Sequence, residues 1–266
     1  MQKLENIIIK KSLINNLIDL IDKSMKLALK SEGEKSYNIK QDGTLVTNTD
    51  IDIHNLLKQG LVEINNNVPV ISEEEKFDPA LFLKNLYWLI DPLDGTSNFV
   101  NGGKGYTINI ALIKKGVPIL GIIAHPPSDT IWYGYLDRAF MIKNGKKKKI
   151  EVLKSANDNL KIIMSKREDK ITKKFVNKIT NASINFFSSS LKFCKIAEGD
   201  AHIYPRLTSI SKWDIAAGDG LLRAAGGILL NEKGKKLIYN TESIKTGKFF
   251  AISSTKIWKK YIKPNV

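Results

Sequence analysis

The apolar run Tyr87-Trp88-Leu89-Ile90 ends abruptly in Asp91-Pro92-Leu93-Asp94-Gly95-Thr96. A short run of this composition predicts a buried strand. Two carboxylates then stand at its mouth, where proline and glycine predict a sharp turn into a helix. Such a placement narrows what the chain can become. Like charges repel, and burying a carboxylate without compensation costs on the order of several kcal/mol, so the fold must bring cationic charge to that spot. Magnesium suits it, because the ion takes oxygen ligands in a near-octahedral array and keeps several waters; paired aspartates on a rigid turn and the Leu93 carbonyl supply such oxygens. Gly95 carries no side chain to obstruct a phosphate. A helix opening at Thr96 would turn free amides and the positive end of its dipole toward the same place.

Other acids stand at element ends. Glu73-Glu74 follow the predicted strand Val68–Ile71, whose end should lie beside that of its neighbour, and this places Glu73 within reach of the same metal. Asp50 closes Thr47-Asn48-Thr49-Asp50, and Asp214 opens a helix after Trp213. Any one of them alone reads as a helix cap. Asp50, Glu73, Asp91, Asp94 and Asp214 together are better explained by bound cations.

The apolar spacing of Leu13, Ile14, Leu17, Ile18, Ile21, Met25 and Leu29 predicts an amphipathic helix over Leu4–Leu29. Capping residues at 47–50 open a second helix through Leu57. Tyr106–Ile113 and Val117–Ala124 form a hairpin across Lys115-Gly116. Beyond a lysine-rich turn the pattern alternates: strand Lys161–Met164, helix Ile171–Ile179, strand Ile184–Phe186, helix Ser190–Glu198, strand Ala201–Tyr204, helix Trp213–Ala225, then strands Ile228–Leu230 and Phe249–Ser253. Alternation of this kind predicts an α/β layer. The expectation is an α+β portion over residues 1–150, carrying most of the metal ligands, and an α/β portion over 151–266, carrying Asp214 and the specificity residues.

The formal charge of +15 invites a nucleic-acid or membrane-surface role. The lysines are scattered, however, and only Arg138, Arg167, Arg206 and Arg223 are arginines, the residue that base recognition leans on. Lys146–Lys149 after Asn144-Gly145 predict a solvated hairpin turn. No run reaches the roughly 20 apolar residues that span a bilayer, and no secretory signal pattern stands at the N-terminus; the expectation is a cytoplasmic enzyme. Cys194, the single cysteine, predicts a core residue. His54, His125 and His202 lack zinc-ligand spacing; His54 reads as structural.

With these pieces in place, the chain resembles the lithium-sensitive, magnesium-dependent phosphatase superfamily of inositol monophosphatases and bisphosphate nucleotidases. Asp50, Glu73-Glu74, Asp91-Pro92-Leu93-Asp94-Gly95-Thr96 and Trp213-Asp214-Ile215-Ala216-Ala217-Gly218 carry the likeness, which runs from about Lys40 to Asn240. It implies a layered αβαβα sandwich and two or three Mg2+ held by Glu73, Asp91, the Leu93 carbonyl, Asp94 and Asp214. Asp50 and Thr96, with Glu73, would activate the attacking water. Ser188-Ser189-Ser190-Leu191-Lys192-Phe193-Cys194, Ala197–Ala201 and Tyr204-Pro205-Arg206 resemble the bacterial 3'(2'),5'-bisphosphate nucleotidases of sulfur assimilation. A second, unhydrolysed phosphate asks for cationic and hydroxyl donors, and Ser189, Lys192, Tyr204 and Arg206 offer them, with Gly95, Thr96 and Asp214 expected to face the substrate as well. The implied reaction is hydrolysis of adenosine 3',5'-bisphosphate to AMP and phosphate, inhibited by lithium, with peripheral membrane contact open. Ser97–Gly102, by contrast, resembles the inositol phosphatases, which keeps inositol 1-phosphate and fructose 1,6-bisphosphate as alternative substrates.

Overall fold

The computed structural model describes residues 9–33, 36–156 and 159–266. Helix α1 (Lys11–Lys30) buries Ile14, Leu17, Leu20, Ile21, Met25 and Ala28 along one face; the predicted helical stretch 4–8 lies outside the described residues. A short hairpin of β1 (Asn38–Ile39) and β2 (Leu45–Val46) leads into α2 (Asn48–Ile64). The chain then lays down β3 (Val70–Ser72), β4 (Leu86–Asp94), the short helix α3 (Thr96–Val100), β5 (Thr107–Lys114), β6 (Val117–His125), β7 (Thr130–Tyr135), β8 (Arg138–Lys143) and β9 (Lys146–Ile150). These strands pair in chain order into one seven-stranded sheet, antiparallel except for the parallel pair β3–β4. The second sheet uses β10 (Leu160–Met164), β11 (Ala182–Phe186) after helix α4 (Lys170–Val176), and β12 (Ile203–Arg206) after helix α5 (Leu191–Ala197). After β13 (Ile210–Ser211) and helix α6 (Trp213–Ala224) come β14 (Ile228–Asn231), β15 (Lys245–Thr246) and β16 (Phe249–Ile252). The five-stranded order is β11-β10-β12-β16-β14, and β13 pairs with β15.

Alternation along the strands builds the layers. Trp88 and Ile90 of β4 pack with α1 and α2 on one face of the large sheet. Tyr87 and Leu89 point the other way, into a core shared with α5, α6 and the inner face of the small sheet. The outer face of that sheet, with Ile162, Ile203 and Phe250, is covered by Phe175 and Val176 of α4 and by Trp258 and Ile262. The result is an αβαβα sandwich. In its middle layer α6 lies directly on β6: a Cβ on Gly121 would meet the Ala217 carbonyl at 2.0 Å, and one on Gly220 would meet the Gly121 nitrogen at 2.8 Å. Backbone rests on backbone there.

Three sequence expectations change. The strand predicted to stop at Ile90 continues to Asp94. Strands β7 and β8 lie between the hairpin and the lysine run, where the sequence reading places no element. The lysine run itself is the edge strand β9, and only Asn144-Gly145 makes the turn, with φ of +48° and +71°. Four consecutive lysines on an edge oppose further strand pairing, which is why so polar a segment remains a strand without spreading the sheet. Among the described residues no helix is long and apolar enough to cross a membrane.

Candidate active site

The paired aspartates owe their common orientation to a bulge. Asp91 stands opposite Asn109 of β5, and Asp94 opposite Thr107, so three steps along β4 match two along β5. Residues 91 and 94 of a regular strand would face opposite sides of the sheet; the extra residue returns Asp94 to the side of Asp91. Pro92 is tolerated because a bulge needs no continuous ladder of N–H donors. The turn predicted for Pro92 and Gly95 together is therefore made at Gly95 alone, whose φ of +101° is left-handed. A side chain at Gly95 would strike Ser189 Oγ at 2.5 Å and the Gly105 carbonyl at 2.8 Å.

Because β3 runs parallel to β4 with Ser72 beside Ile90, the next residue, Glu73, arrives beside Asp91. Asp214, in the first turn of α6, comes from the middle layer. Glu73, Asp91 and Asp214 each bring a carboxylate oxygen to within 4.8 Å of the others. Both oxygens of Asp91 are buried without a protein partner. Burial, reinforced by Glu73, Asp94 and Asp214, holds the Asp91 carboxyl well above the usual carboxylate range. Burial and then Asp94 and Glu73 do the same to Asp214, whose Oδ2 accepts from the Ser211 N–H at 2.9 Å. Three converging carboxylates, with both oxygens of Asp91 left without a protein partner, are what a hard divalent cation requires, so the residues fit magnesium.

Asp94 stands outside that trio. Its Oδ2 accepts from Ser190 Oγ at 3.0 Å, from Thr107 at 3.4 Å and from Asn109 at 3.5 Å. Thr96 Oγ1 donates to Asp50 Oδ1 at 2.9 Å and lies 3.1 Å from the Leu93 carbonyl. The other Asp50 oxygen is fixed by the backbone and hydroxyl of Thr47 in a capping box, and burial raises the Asp50 carboxyl above its ordinary value. Lys40, next to the β1–β2 hairpin turn, reaches Glu73 at 2.9 Å and Glu74 at 2.7 Å. Even so, burial pushes Glu74 up to about 7. Sequence reasoning missed Lys40, Thr47, Asn109 and Ser190 as members of the site; Thr47 carried a signal as a helix cap and Ser190 as part of the serine motif at 188–190, whereas Lys40 and Asn109 carried none.

The residues expected to meet the substrate collect beside the acids. Lys192 is no solvated helix lysine: it is 5% exposed, donates to the Ser189 carbonyl at 2.8 Å, lies 5.1 Å over the Tyr204 ring, and burial brings its ammonium down to about 8. Ser189 adopts a left-handed φ of +51° and donates to the Gly105 carbonyl at 2.9 Å. Tyr204 is buried, and Arg206, two residues on, pairs with Glu168 at 3.2 Å. The histidines bond locally: His54 to Ser72 at 2.8 Å and Glu75 at 3.3 Å, His125 to Ser128 and the Lys104 carbonyl, His202 to the Lys161 N–H and the Ser155 carbonyl. Cys194 is buried core, and burial pushes its thiol up.

A pH dependence follows from the raised acids. Without metal, the folded chain keeps protons that the unfolded chain releases near pH ~4. Stability is then lost as pH rises through the Glu74 value of about 7 and beyond, toward those of Asp91 and Asp214. Burial lowers His54, His125 and His202, which acts oppositely at acid pH, so a difference measurement is needed. Because metal binding displaces those protons, the rise in melting temperature on adding Mg2+ is expected to be larger at about pH 8 than at about pH 5.5. Equal rises at both would show that the acids are ionised without metal.

The model of the Inositol monophosphatase family matches residues 4–262. The chain is 40% identical over 244 residues to the 3'(2'),5'-bisphosphate nucleotidase CysQ of Buchnera aphidicola, covering 86% of this chain and 91% of that one. It is 35% identical over 213 residues to the protein of the same name from Escherichia coli strain K12, covering 78% and 85%. The crystal structure of CysQ from Bacteroides thetaiotaomicron superposes with a TM-score of 0.78 at 27% identity, covering 92% of this chain and 98% of that one.

Proposed function

The chain belongs to the inositol monophosphatase family, and we propose that within it this protein is a cytoplasmic, magnesium-dependent 3'(2'),5'-bisphosphate nucleotidase that hydrolyses adenosine 3',5'-bisphosphate to AMP and phosphate. The relatives named above support the reaction. The observation that carries the substrate is Lys192, a buried ammonium beside Arg206 and within electrostatic reach of Asp94 and Asp214. A cation is buried next to a metal-binding cluster at considerable cost, and a second phosphate on the substrate gives that cost a purpose. A polyol ring would instead call for acceptors.

On this reading residues 1–150 supply most of the metal ligands, and 151–266 supply Asp214 and the specificity contacts. Glu73, Asp91, Asp94, Asp214 and the Leu93 carbonyl would hold two or three ions. Bound there, magnesium lowers the pKa of water and offsets charge on the reacting phosphoryl oxygens. The chain's own residues direct the proton. Thr96 Oγ1 spends its hydrogen on Asp50 Oδ1, which leaves its lone pairs to accept from a water and to orient it. Asp50, its other oxygen fixed by Thr47 and its basicity increased by burial, takes the proton through Thr96. Glu73 borders the same water. Gly95 would meet the phosphate through its backbone, since the space a side chain would take is filled by Ser189 and Gly105, and Ser189, Lys192, Tyr204 and Arg206 would receive the rest of the substrate.

Purified protein assayed side by side with adenosine 3',5'-bisphosphate, inositol 1-phosphate and fructose 1,6-bisphosphate tests this. A charge-assisted contact to the second phosphate is expected to favour the nucleotide by roughly ten-fold or more in kcat/KM. Turnover of inositol 1-phosphate at an equal or higher rate would overturn the substrate while leaving the phosphatase intact.

A further inference from the structure

Strands β10 and β12 are parallel and end at Met164 and Arg206, and β11, parallel to β10, ends at Phe186. Ligands of open α/β sheets lie outside such carboxyl ends. Ser189 and Lys192 arrive there after β11, and Tyr204 and Arg206 lie on one face of β12. The loop after β10 adds a residue that nothing above assigns. Glu168 is an acid in a corner otherwise suited to an anion, and its side chain is 0% exposed. Its Oε2 accepts from the Ser165 N–H at 3.1 Å. Its Oε1 accepts from the Asp169 N–H at 3.3 Å and from Arg206 Nη1 at 3.2 Å.

Buried carboxylates repel phosphate, so Glu168 needs a reason. Lys192 and Arg206 are like charges drawn into a poorly solvated corner, and both interact electrostatically with Glu168. One carboxylate between them offsets their repulsion, and the corner keeps a net positive charge. Nη1 is the guanidinium nitrogen held by Glu168. Arg206 Nε is buried without a protein partner, and Lys192 Nζ, with three hydrogens, donates one to Ser189. The two cations therefore retain donors while their positions are set.

Building on the bisphosphate reading, we propose that Glu168 is a positioning residue: it anchors the Arg206 guanidinium so that Arg206 and Lys192 form a fixed clamp for the phosphate that is not hydrolysed. Glu168→Gln removes the charge and keeps an amide oxygen for one of the two backbone donors, Ser165 or Asp169, which sit on different carboxylate oxygens. Kinetics are measured with adenosine 3',5'-bisphosphate and with adenosine 3'-monophosphate, which lacks the second phosphate. E168Q is expected to reduce the preference for the bisphosphate on the order of ten-fold, through KM rather than kcat. In an R206Q background, adding E168Q should cost nothing further, because its effect runs through Arg206.

A preference that survives E168Q overturns the clamp. A loss shared equally by both substrates, or one additive with R206Q, marks a merely structural role and overturns it too. Wild-type enzyme with no preference for the bisphosphate overturns the nucleotidase reading, and the clamp falls with it; where the wild type does discriminate, the variants report on Glu168 alone.

Discussion

Asp91→Asn is expected to lower kcat/KM on the order of a thousand-fold while raising the melting temperature of the metal-free protein. The two effects have one cause. Asp91 is almost completely buried, its oxygens have no protein partner, and Glu73, Asp94 and Asp214 raise its carboxyl further. An amide of the same shape removes one of these mutually repelling groups, and each kcal/mol gained should appear as about 2–4 °C in a chain of this size. The same change removes a charged oxygen from the trio with Glu73 and Asp214, so the stabilisation that added Mg2+ gives the wild type should largely vanish. Melting curves with and without Mg2+, beside initial rates, check all three. Near-normal rates would refute Asp91 as a ligand. A lower melting temperature without metal would refute the account of its electrostatics.

Thr96→Val separates proton handling from metal binding. The hydroxyl that donates to Asp50 at 2.9 Å is lost, while the shape of the side chain and the acid trio are kept. We expect kcat to fall about 10²–10⁴-fold, the range of general base catalysis, with KM and the Mg2+-dependent rise in melting temperature close to wild type. Asp91→Asn abolishes that rise; Thr96→Val should leave it. A Thr96→Val enzyme with normal kcat would mean that the Thr96–Asp50 pair does not move the proton. One that has lost its response to Mg2+ would mean that Thr96 supports the metal site instead.

How much of this is legible in the sequence depends on whether the signal is local. Residues 47–50 read as capping residues, and two of them, Thr47 and Asp50, form a capping box. Glu73 is placed by the pairing of its strand with the next, which apolar runs reveal, and β3 and β4 pair as expected. The bulge after Asp91 is not legible, because it arises from a mismatch between β4 and β5 that neither strand records alone. Without it the sequence reading stops the strand too early and lends Pro92 a turn that Gly95 makes. The lysine run misleads for a related reason: composition reports solvation, whereas the pairing of Lys146–Ile150 with β8 decides the backbone. Lys192 is picked out by its motif as a phosphate donor, but its burial is not legible in so lysine-rich a chain and rests on its packing over Tyr204. Lys40 and Glu168 were invisible because their partners stand 33 and 38 positions away.

The contact between Gly121 of β6 and Gly220 of α6 bears on how substrate comes and goes. The helix that delivers Asp214 is seated on the same sheet that delivers Asp91, main chain against main chain, with no side chains between them to act as a bearing. That helix is thereby fixed to the large sheet, so Asp214 and Asp91 should move as one body. Turnover should then be free of any slow step in which the helix bearing Asp214 swings away from the sheet bearing Asp91.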